Sequence, residues 1–310
     1  MKGPLFYSKI LLFGEYGIIK DSKGLSIPYN FFKGALKKGV NLTEEAKNSN
    51  ISLKKFTDYL AKIQDEGLVE FDIIRLKNDV AAGMYFDSSI PQGYGVGSSG
   101  ALVAAIYDKY ATEKITVLEN LTREKLLKLK TIFGKMESFF HGKSSGLDPL
   151  NSYLSLPILI NSKDNIESTS LPSQHKEGKG AVFLLDSGMT GETAPMVQIF
   201  MEQMKQEGFR NMLKEKFIKH TDACVEHFVN GDIKSLFGHV KQLSHVVFDN
   251  FKPMIPRQFH SLWKKGIDTN DYYLKLCGSG GGGYILGFTE DIDRAKKSLR
   301  GHKLEVVFNF

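Results

Sequence analysis

A glycine- and serine-rich stretch, Pro91–Ala101, is the part of the chain best suited to chemistry. It spells Pro-Gln-Gly-Tyr-Gly-Val-Gly-Ser-Ser-Gly-Ala and precedes the apolar run Leu102–Tyr107, which predicts a loop leading directly into a helix. Free backbone N–H groups and the helix dipole attract anions at a helix N-terminus, and glycines let the backbone close around phosphate oxygens. The stretch therefore predicts nucleotide-phosphate binding.

Two other interpretations of these glycines stay open. Gly95–Gly100 also spells G-x-G-x-x-G, the fingerprint of dinucleotide-binding proteins, and so does Gly278–Gly283. Pro91 lengthens the loop beyond the tight turn that this fingerprint needs, which disfavours a nicotinamide-linked oxidoreductase. The second open interpretation is a glycine-rich surface loop without a ligand.

Two carboxylates, Glu137 and Asp148, flank a turn-rich segment that contains His-Gly and Ser-Ser-Gly. Phosphoryl transfer needs an oxygen ligand for Mg²⁺ and a carboxylate that accepts the proton of an attacking alcohol. One acid is able to fill each role if the turn brings both into one pocket. The alternatives are an exposed helical Glu137 paired with His141 and an Asp148 that only caps a helix.

A lysine and a second glycine run complete the candidate residues. Lys9 lies in the apolar stretch Leu5–Phe13, where a lysine is unusual unless it serves a pocket or guards an edge strand. Gly278–Gly283 holds five glycines in six positions between two predicted strands. This density favours a ligand-facing loop over a mobile hairpin.

The composition is that of an ordinary globular protein. The chain has 310 residues, 42% hydrophobic and 25% charged, with a net charge of +6 that is not gathered into a basic tail, so nucleic-acid binding is not indicated. No run reaches the ~20 apolar residues needed to span a bilayer. Cys224 and Cys277 have no metal or disulfide spacing, and Met1–Tyr7 has no signal-peptide pattern, which together predict a cytoplasmic protein.

Hydrophobic periodicity predicts alternating strands and helices in two domains of an α/β or α+β protein. The turn-rich run Pro172–Lys179 is the expected boundary, giving domains of residues 1–172 and 173–310. The predicted strands are Leu5–Phe13, Val69–Leu76, Gly83–Ser88, Leu154–Ile160, Ala181–Asp186, Tyr273–Cys277, Tyr284–Phe288 and Leu304–Phe308. The predicted helices are Leu53–Gln64, Gly100–Thr112, Arg123–Phe139, Pro195–Glu207, Arg210–Val229, Lys234–Asn250, Arg257–Lys265 and Asp291–Gly301.

Taken in order, the chemical motifs resemble those of the GHMP kinase superfamily of small-molecule kinases, nearly end to end. Ser8–Tyr16 resembles the first motif of that family. Pro91–Ala101 resembles its phosphate loop, P-x-x-x-G-L-G-S-S-A, and Leu276–Tyr284 resembles its third motif, which with the preceding lysine is usually K-x-T-G-A-G-G-G-G.

Within the superfamily, Glu137–Asp148 is most similar to the mevalonate kinase pattern E-x-x-x-H-G-x-P-S-G-x-D. Ser144 replaces the proline of that pattern. Val96 and Gly100 are departures in the phosphate loop, and Tyr16 stands where mevalonate kinases usually carry histidine.

The resemblance implies an α+β fold, with a ribosomal-S5-like N-terminal domain, a ferredoxin-like C-terminal domain and the active site between them. It implies ATP and Mg²⁺ as cofactors, Asp148 and Lys9 as catalytic residues, and Ser99 and Glu137 as metal ligands. The implied nucleotide contacts are Gly93, Gly95, Val96, Gly97, Ser98, Ser99, Gly100, Gly280 and Gly281. The implied substrate contacts are Glu15, Tyr16, Lys143, Gly278 and Ser279.

The implied reaction is phosphorylation of the primary alcohol of mevalonate, without a nucleic-acid or membrane partner. Tyr16 favours phosphomevalonate as the acceptor instead, and Lys20, Lys23 and Lys143 are the cations near the motifs that could bind its phosphate. A catalytically silent relative acting as a binding module is the alternative from another class. A homodimer is left open.

Overall fold

The structure is a computed structural model that describes residues 4–116, 120–175 and 178–310. Residues 176 and 177 of the predicted boundary run therefore lie outside the described residues. The strands are β1 (Phe6–Phe13), β2 (Gly24–Lys38), β3 (Met84–Ser88), β4 (Ile158–Ser162), β5 (Asn165–Ser168), β6 (Ala181–Asp186), β7 (Tyr273–Leu276), β8 (Tyr284–Thr289) and β9 (Leu304–Asn309). The α-helices are α1 (Glu44–Gln64), α2 (Ile73–Ala81), α3 (Ser98–Tyr110), α4 (Arg123–His141), α5 (Leu147–Leu154), α6 (Thr193–Gln203), α7 (Glu207–Met212), α8 (Lys219–Val229), α9 (Ile233–Asn250), α10 (His260–Thr269) and α11 (Ile292–Ser298).

Short helical segments complete the described structure. Three 3₁₀ turns lie at Gly17–Lys20, Lys252–Met254 and Arg257–Phe259. A π-helical segment, Leu213–Ile218, joins α7 to α8.

The chain forms two compact units, and neither is continuous in sequence. Unit 1 comprises the described residues of Met1–Lys9, Pro28–Pro91 and Gly97–Leu156. Its core surrounds α3, whose Val103, Ala104, Ile106 and Tyr107 are fully buried because small and apolar residues occupy nearly every side of the helix. Helices α4 and α5 pack against α3.

Unit 2 comprises the described residues of Ile10–Ile27, Gln92–Val96 and Pro157–Phe310. A four-stranded sheet of order β7-β8-β6-β9 lies at its centre, and its strand pairs are antiparallel. Strand β6 is buried over Ala181–Leu185, as its unbroken apolar sequence requires. The division into residues 1–172 and 173–310 stays a prediction about domain organisation.

A second sheet has the order β1-β2-β4-β5, with β3 also paired to β2. The long strand β2 pairs antiparallel with β4 through Gly24–Ser26 and antiparallel with β3 through Gly34–Lys38. This arrangement is not the doubly wound parallel sheet that accompanies the dinucleotide fingerprint. In the part of the chain that the structure describes, no helix is long and apolar enough to cross a membrane.

The predicted strand at Val69–Leu76 is wrong. Asp72 accepts a hydrogen bond from the backbone N–H of Arg75 and so caps helix α2. Leu76 and Val80, four residues apart, are the buried residues of that helix, and only Phe71 forms an isolated bridge, to Ala111. The run of apolar residues suggested a strand, but the cap and the i, i+4 spacing determine a helix.

Candidate active site

A buried lysine and a partly exposed carboxylate form an ion pair in unit 1. Lys9 Nζ lies 2.9 Å from Asp148 Oδ1, with side chains 4% and 37% exposed. Lys9 projects from β1, and Asp148 lies in the first turn of α5, which begins after Gly146 with φ +75°. The turn thus presents a carboxylate to solvent beside a fixed positive charge, the arrangement needed to accept a proton from an alcohol while stabilising developing negative charge.

The second carboxylate, Glu137, is held by hydroxyl groups rather than by His141. Glu137 is only 4% exposed. Ser99 donates a hydrogen bond to Oε1 over 2.8 Å, and Ser144 donates one to Oε2 over 2.5 Å. His141 Nε2 lies 3.0 Å from the Ser99 hydroxyl instead. The alternative of an exposed helical acid paired with His141 is therefore wrong.

Burial, and after it the negative charge of Asp148, raise the pKa of Glu137 from 4.5 to about 7. The hydrogen bonds from Ser144 and Ser99 and the charge of Lys9 oppose this rise. Because these groups influence one another, we name Lys9, Ser99, Glu137, Ser144 and Asp148 together as the carboxylate cluster.

The carboxylate cluster fits Mg²⁺ that arrives with phosphate. Ser99 and Glu137 offer hard oxygen ligands within hydrogen-bond distance of each other. Among the described residues, no group of three or more His, Cys, Asp or Glu side chains is placed to hold a metal alone. Mg²⁺ is ordinarily bound by one or two carboxylates, with substrate phosphates and water completing its octahedron.

The predicted phosphate loop, Pro91–Ala101, meets the carboxylate cluster at the N-terminus of α3. Gly97 caps this 13-residue helix with φ +82° and no side-chain hydrogen bond, so the first backbone N–H groups, at Ser98 and Ser99, stay available for an anion. A Cβ on Gly97 would lie 3.0 Å from Lys9 Cγ, so glycine lets the loop pass directly over the lysine.

Gly100 likewise permits a close approach, in this case of two backbone segments, α3 and the turn at Asp148. A Cβ at this position would lie 2.8 Å from the carbonyl carbon of Asp148 and 2.8 Å from the nitrogen of Pro149. Gly100 thus lets α3 approach the turn that carries Asp148, and this departure from the motif's alanine has a structural reason.

In unit 2, the remaining residues of the phosphate loop contact the third motif. A Cβ on Gly95, whose φ is +77°, would lie 2.5 Å from the carbonyl oxygen of Cys277. Gly93 accepts a hydrogen bond from the backbone N–H of Gly191, and the fully buried Val96 anchors the segment. The structure thus brings part of the predicted phosphate loop against the start of the glycine loop, defined as Gly278–Gly283.

Glu15 and Tyr16, predicted to contact substrate, both have partners within the protein. Lys275 Nζ lies 2.5 Å from Glu15 Oε1, and both side chains are 5% exposed. The Tyr16 hydroxyl donates a hydrogen bond to the carbonyl oxygen of Ser279. Lys275 was not among the predicted site residues, although a lysine within a fully buried four-residue strand was a signal for it.

The cations proposed for an acceptor phosphate differ in their surroundings. Lys143 and Lys20 are exposed. Lys23 is neutralised in unit 2, where its ammonium group pairs with Glu226 over 2.5 Å and its backbone N–H donates to Asp222.

The family description "GHMP kinases N terminal domain" matches residues 58–155, which contain the phosphate loop, Glu137 and Asp148. No protein of curated function matches the chain by sequence.

Solved structures of the same fold cover nearly the whole chain. Mevalonate kinase of L. major in complex with R-mevalonate is 18% identical, with a TM-score of 0.62 over 97% of this chain and 94% of that one. Phosphomevalonate kinase of Streptococcus pneumoniae with phosphomevalonate and AMPPNP is 14% identical, with a TM-score of 0.64 over 98% and 99%. Galactokinase of Lactococcus lactis with galactose is 12% identical, with a TM-score of 0.61 over 98% and 92%.

At these identities the solved structures establish the fold, and the family match concerns the segment of residues 58–155. The expected α+β GHMP kinase fold is confirmed, and residues 58–155 match the GHMP kinase N-terminal domain family.

Proposed function

We propose that the chain is an ATP- and Mg²⁺-dependent kinase that phosphorylates the primary hydroxyl of mevalonate. The observation that carries the proposal is the 2.9 Å ion pair of Lys9 and Asp148 beside the glycine-capped N-terminus of α3. These groups supply a proton acceptor, a fixed cation and free backbone donors for an anion within one compact unit.

In the proposed reaction, the hydroxyl oxygen of the acceptor forms a bond to the γ-phosphorus, and the bond from that phosphorus to its bridging oxygen breaks to release ADP. Asp148 accepts the hydroxyl proton. Lys9 stabilises charge that develops during transfer, an interaction that raises kcat because it is stronger in the transition state than in the ground state.

The proposed nucleotide contacts are the backbone of Gly93, Gly95, Val96, Gly97, Ser98, Ser99 and Gly100, with Gly280 and Gly281 from the glycine loop. Bound Mg²⁺ would neutralise phosphate charge, and Ser99 and Glu137 would hold it. Because the pKa of Glu137 is raised to about 7 without a cation, metal binding there would displace a proton near neutral pH.

Mevalonate is the proposed acceptor because the segment Glu137–Asp148 follows the mevalonate kinase pattern and Lys23 is already neutralised by acidic neighbours. Phosphomevalonate is the second candidate, favoured by Tyr16 and by the exposed Lys143 as a phosphate ligand. Gly278 and Ser279 stay predicted acceptor contacts. A cytoplasmic location and a homodimer also stay predictions.

The test is ADP release from Mg-ATP over a panel containing mevalonate, phosphomevalonate, galactose and homoserine. The highest kcat/KM is expected for mevalonate. A preference for phosphomevalonate that disappears in Lys143→Ala would replace the first candidate with the second. Binding of ATP without ADP release for any acceptor would contradict the kinase proposal and support the silent binding module.

A further inference from the structure

We propose that Tyr16 is a positioning residue that holds the glycine loop, Gly278–Gly283, and that it does not contact the acceptor. The loop's part in phosphoryl transfer rests on the proposed function, whereas the hold on the loop is a property of the free protein. Tyr16 is also the residue at which the first motif departs from the histidine of mevalonate kinases.

The side chain of Tyr16 is fixed at both ends. Its hydroxyl donates to the carbonyl oxygen of Ser279 over 2.6 Å, although the two residues are 263 positions apart. Its ring stacks on Phe200 with 4.7 Å between centroids and lies 6.0 Å from Phe251, and the residue is only 7% exposed. A ring packed in this way cannot turn its hydroxyl toward a small molecule without breaking both contacts.

The backbone at Tyr16 is also constrained. Its φ is +59°, in the left-handed region that a large side chain rarely adopts. Such a conformation persists when the surroundings determine it, and it is often found at functional sites. The turn therefore holds Tyr16 in an unfavourable conformation that directs the phenol at Ser279.

The neighbouring residue, Glu15, holds the strand that leads into the loop. Its carboxylate pairs with Lys275, and the same ammonium group donates to the carbonyl oxygen of Leu276 over 2.9 Å. Two consecutive residues of the first motif thus contact the third motif, one before the glycine loop and one within it.

The glycine loop needs such anchors because its own sequence supplies few. Each of its five glycines has a positive φ, between +71° and +158°, and glycine loses more conformational entropy on ordering than other residues. Backbone bonds from Gly281 N–H to Met254 and from Gly283 N–H to Met189 fix the distal part. At Ser279, the first part of the loop, the hydrogen bond from the Tyr16 hydroxyl fixes the backbone. A histidine at position 16 could not replace this bond, because its ring is too short to place a donor where the phenolic oxygen lies.

The decisive experiment compares Tyr16→Phe with Tyr272→Phe in the full-length protein. Tyr272 is a matched control because it is fully buried in the same unit and its hydroxyl donates to the backbone carbonyl of Leu262 over 2.8 Å, outside the glycine loop. Each variant loses one hydroxyl-to-carbonyl hydrogen bond and keeps its aromatic ring. Melting temperatures of both establish that the variants are folded.

Hydrogen exchange of the free protein gives the first readout. Tyr16→Phe is expected to speed exchange at the Gly280–Gly283 amides by about 3- to 10-fold, the equivalent of one lost hydrogen bond, whereas Tyr272→Phe leaves them unchanged. Equal exchange rates of the loop amides in the two variants would contradict the proposal that Tyr16 holds the loop. If Tyr16→Phe does not fold, Tyr16→His carries the same expectation.

Steady-state kinetics give the second readout. Tyr16→Phe is expected to lower kcat by about 3- to 10-fold, and any change in the KM for the acceptor is expected only together with faster loop exchange, because the phenol acts on the acceptor only through the loop. A raised acceptor KM with unchanged kcat and unchanged loop exchange would show that Tyr16 contacts substrate. If the wild type releases no ADP, the kinase proposal fails, and the exchange measurement still decides the role of Tyr16.

Discussion

The carboxylate cluster of unit 1 and the glycine loop of unit 2 are built in opposite ways. The carboxylate cluster depends on side-chain atoms, because Lys9 pairs with Asp148 while the hydroxyls of Ser99 and Ser144 donate hydrogen bonds to Glu137. The glycine loop depends on the absence of side chains, because a Cβ atom at several of its positions would clash with neighbouring backbone atoms. The first region should therefore lose chemistry while the fold persists, and the second should lose its shape.

Asp148→Asn is expected to have the largest effect on activity. Loss of the proton acceptor should lower kcat by about 10²–10⁴-fold and leave ATP binding nearly intact. Turnover and nucleotide titration measure the two quantities. Asp87→Asn is the control, since Asp87 forms an exposed ion pair with Lys37 in the same unit. Near wild-type turnover in Asp148→Asn would remove Asp148 from its role.

Gly95→Ala should affect stability and activity together. The new Cβ would lie 2.5 Å from the Cys277 oxygen, and the left-handed backbone adds strain of about 1–2 kcal/mol. We expect a loss of several kcal/mol, by analogy with other overpacked sites at about 1–3 kcal/mol plus this strain, and at least a tenfold fall in kcat/KM. Thermal unfolding and ADP release measure both.

Gly188→Ala isolates the strain from the steric clash. Gly188 has φ +72°, but nothing lies within 4 Å of its added Cβ. It should therefore lose only about 1–2 kcal/mol. Equal losses in Gly95→Ala and Gly188→Ala would contradict the close approach of the phosphate loop to Cys277.

Glu137→Gln should separate stability from function within the carboxylate cluster. The raised pKa of Glu137 means that ionisation destabilises the folded protein as pH rises from about 4.5 to about 7. Without metal or nucleotide, the variant should be more stable than wild type near pH 8, by at most about 3 kcal/mol, and this gain should be nearly absent near pH 4.

The same variant should also need more Mg²⁺, because it has lost a charged oxygen ligand, and excess Mg²⁺ should partly restore activity. Glu66→Gln is the control for both measurements, as Glu66 pairs with Lys135 at the surface. A melting temperature that falls near pH 8, or an unchanged Mg²⁺ requirement, would contradict the placement of Glu137.

Ser144→Ala should have the smallest effect. Glu137 would lose one of its two hydroxyl donors, which should raise the Mg²⁺ concentration for half-maximal activity by about 2- to 10-fold. Ser49→Ala is the control, because it removes a serine hydroxyl that forms hydrogen bonds with the backbone of Phe86, away from the carboxylate cluster. An equal change in Mg²⁺ requirement in both variants would show that Ser144 has no specific role.

The sequence predicted the elements whose local signals agree. The apolar run Ala181–Asp186 forms strand β6 with those bounds, and the predicted helix at Arg123–Phe139 becomes α4, ending two residues later at His141. At Val69–Leu76 the apolar run and the Asp72 cap gave conflicting signals, and the cap decided the structure. The 15-residue strand β2 was missed because it pairs with β3 at one end and β4 at the other, and long-range pairing leaves little local signal.

The charged and hydroxyl residues of the candidate site could be predicted, because few residue types can accept a proton, bind a metal or stabilise negative charge. Lys9, Ser99, Glu137 and Asp148 were all predicted, and the structure places them in one carboxylate cluster. The partnerships of Tyr16 with Ser279 and Glu15 with Lys275 were not predicted. These contacts join positions about 260 residues apart. Because they form only in the folded chain, no local pattern in the sequence predicts which carbonyl group a tyrosine hydroxyl will contact.

Gly100 bears on how this chain can be redesigned. A redesign that replaces each departure with the usual residue of the motif would install alanine there, a change that normally stabilises a helix by about 1 kcal/mol. Here the added methyl group would meet the backbone of Asp148 and Pro149, so α5 would have to move. Exchange of motifs between this chain and proteins of the same fold should therefore transfer the starts of α3 and α5 together.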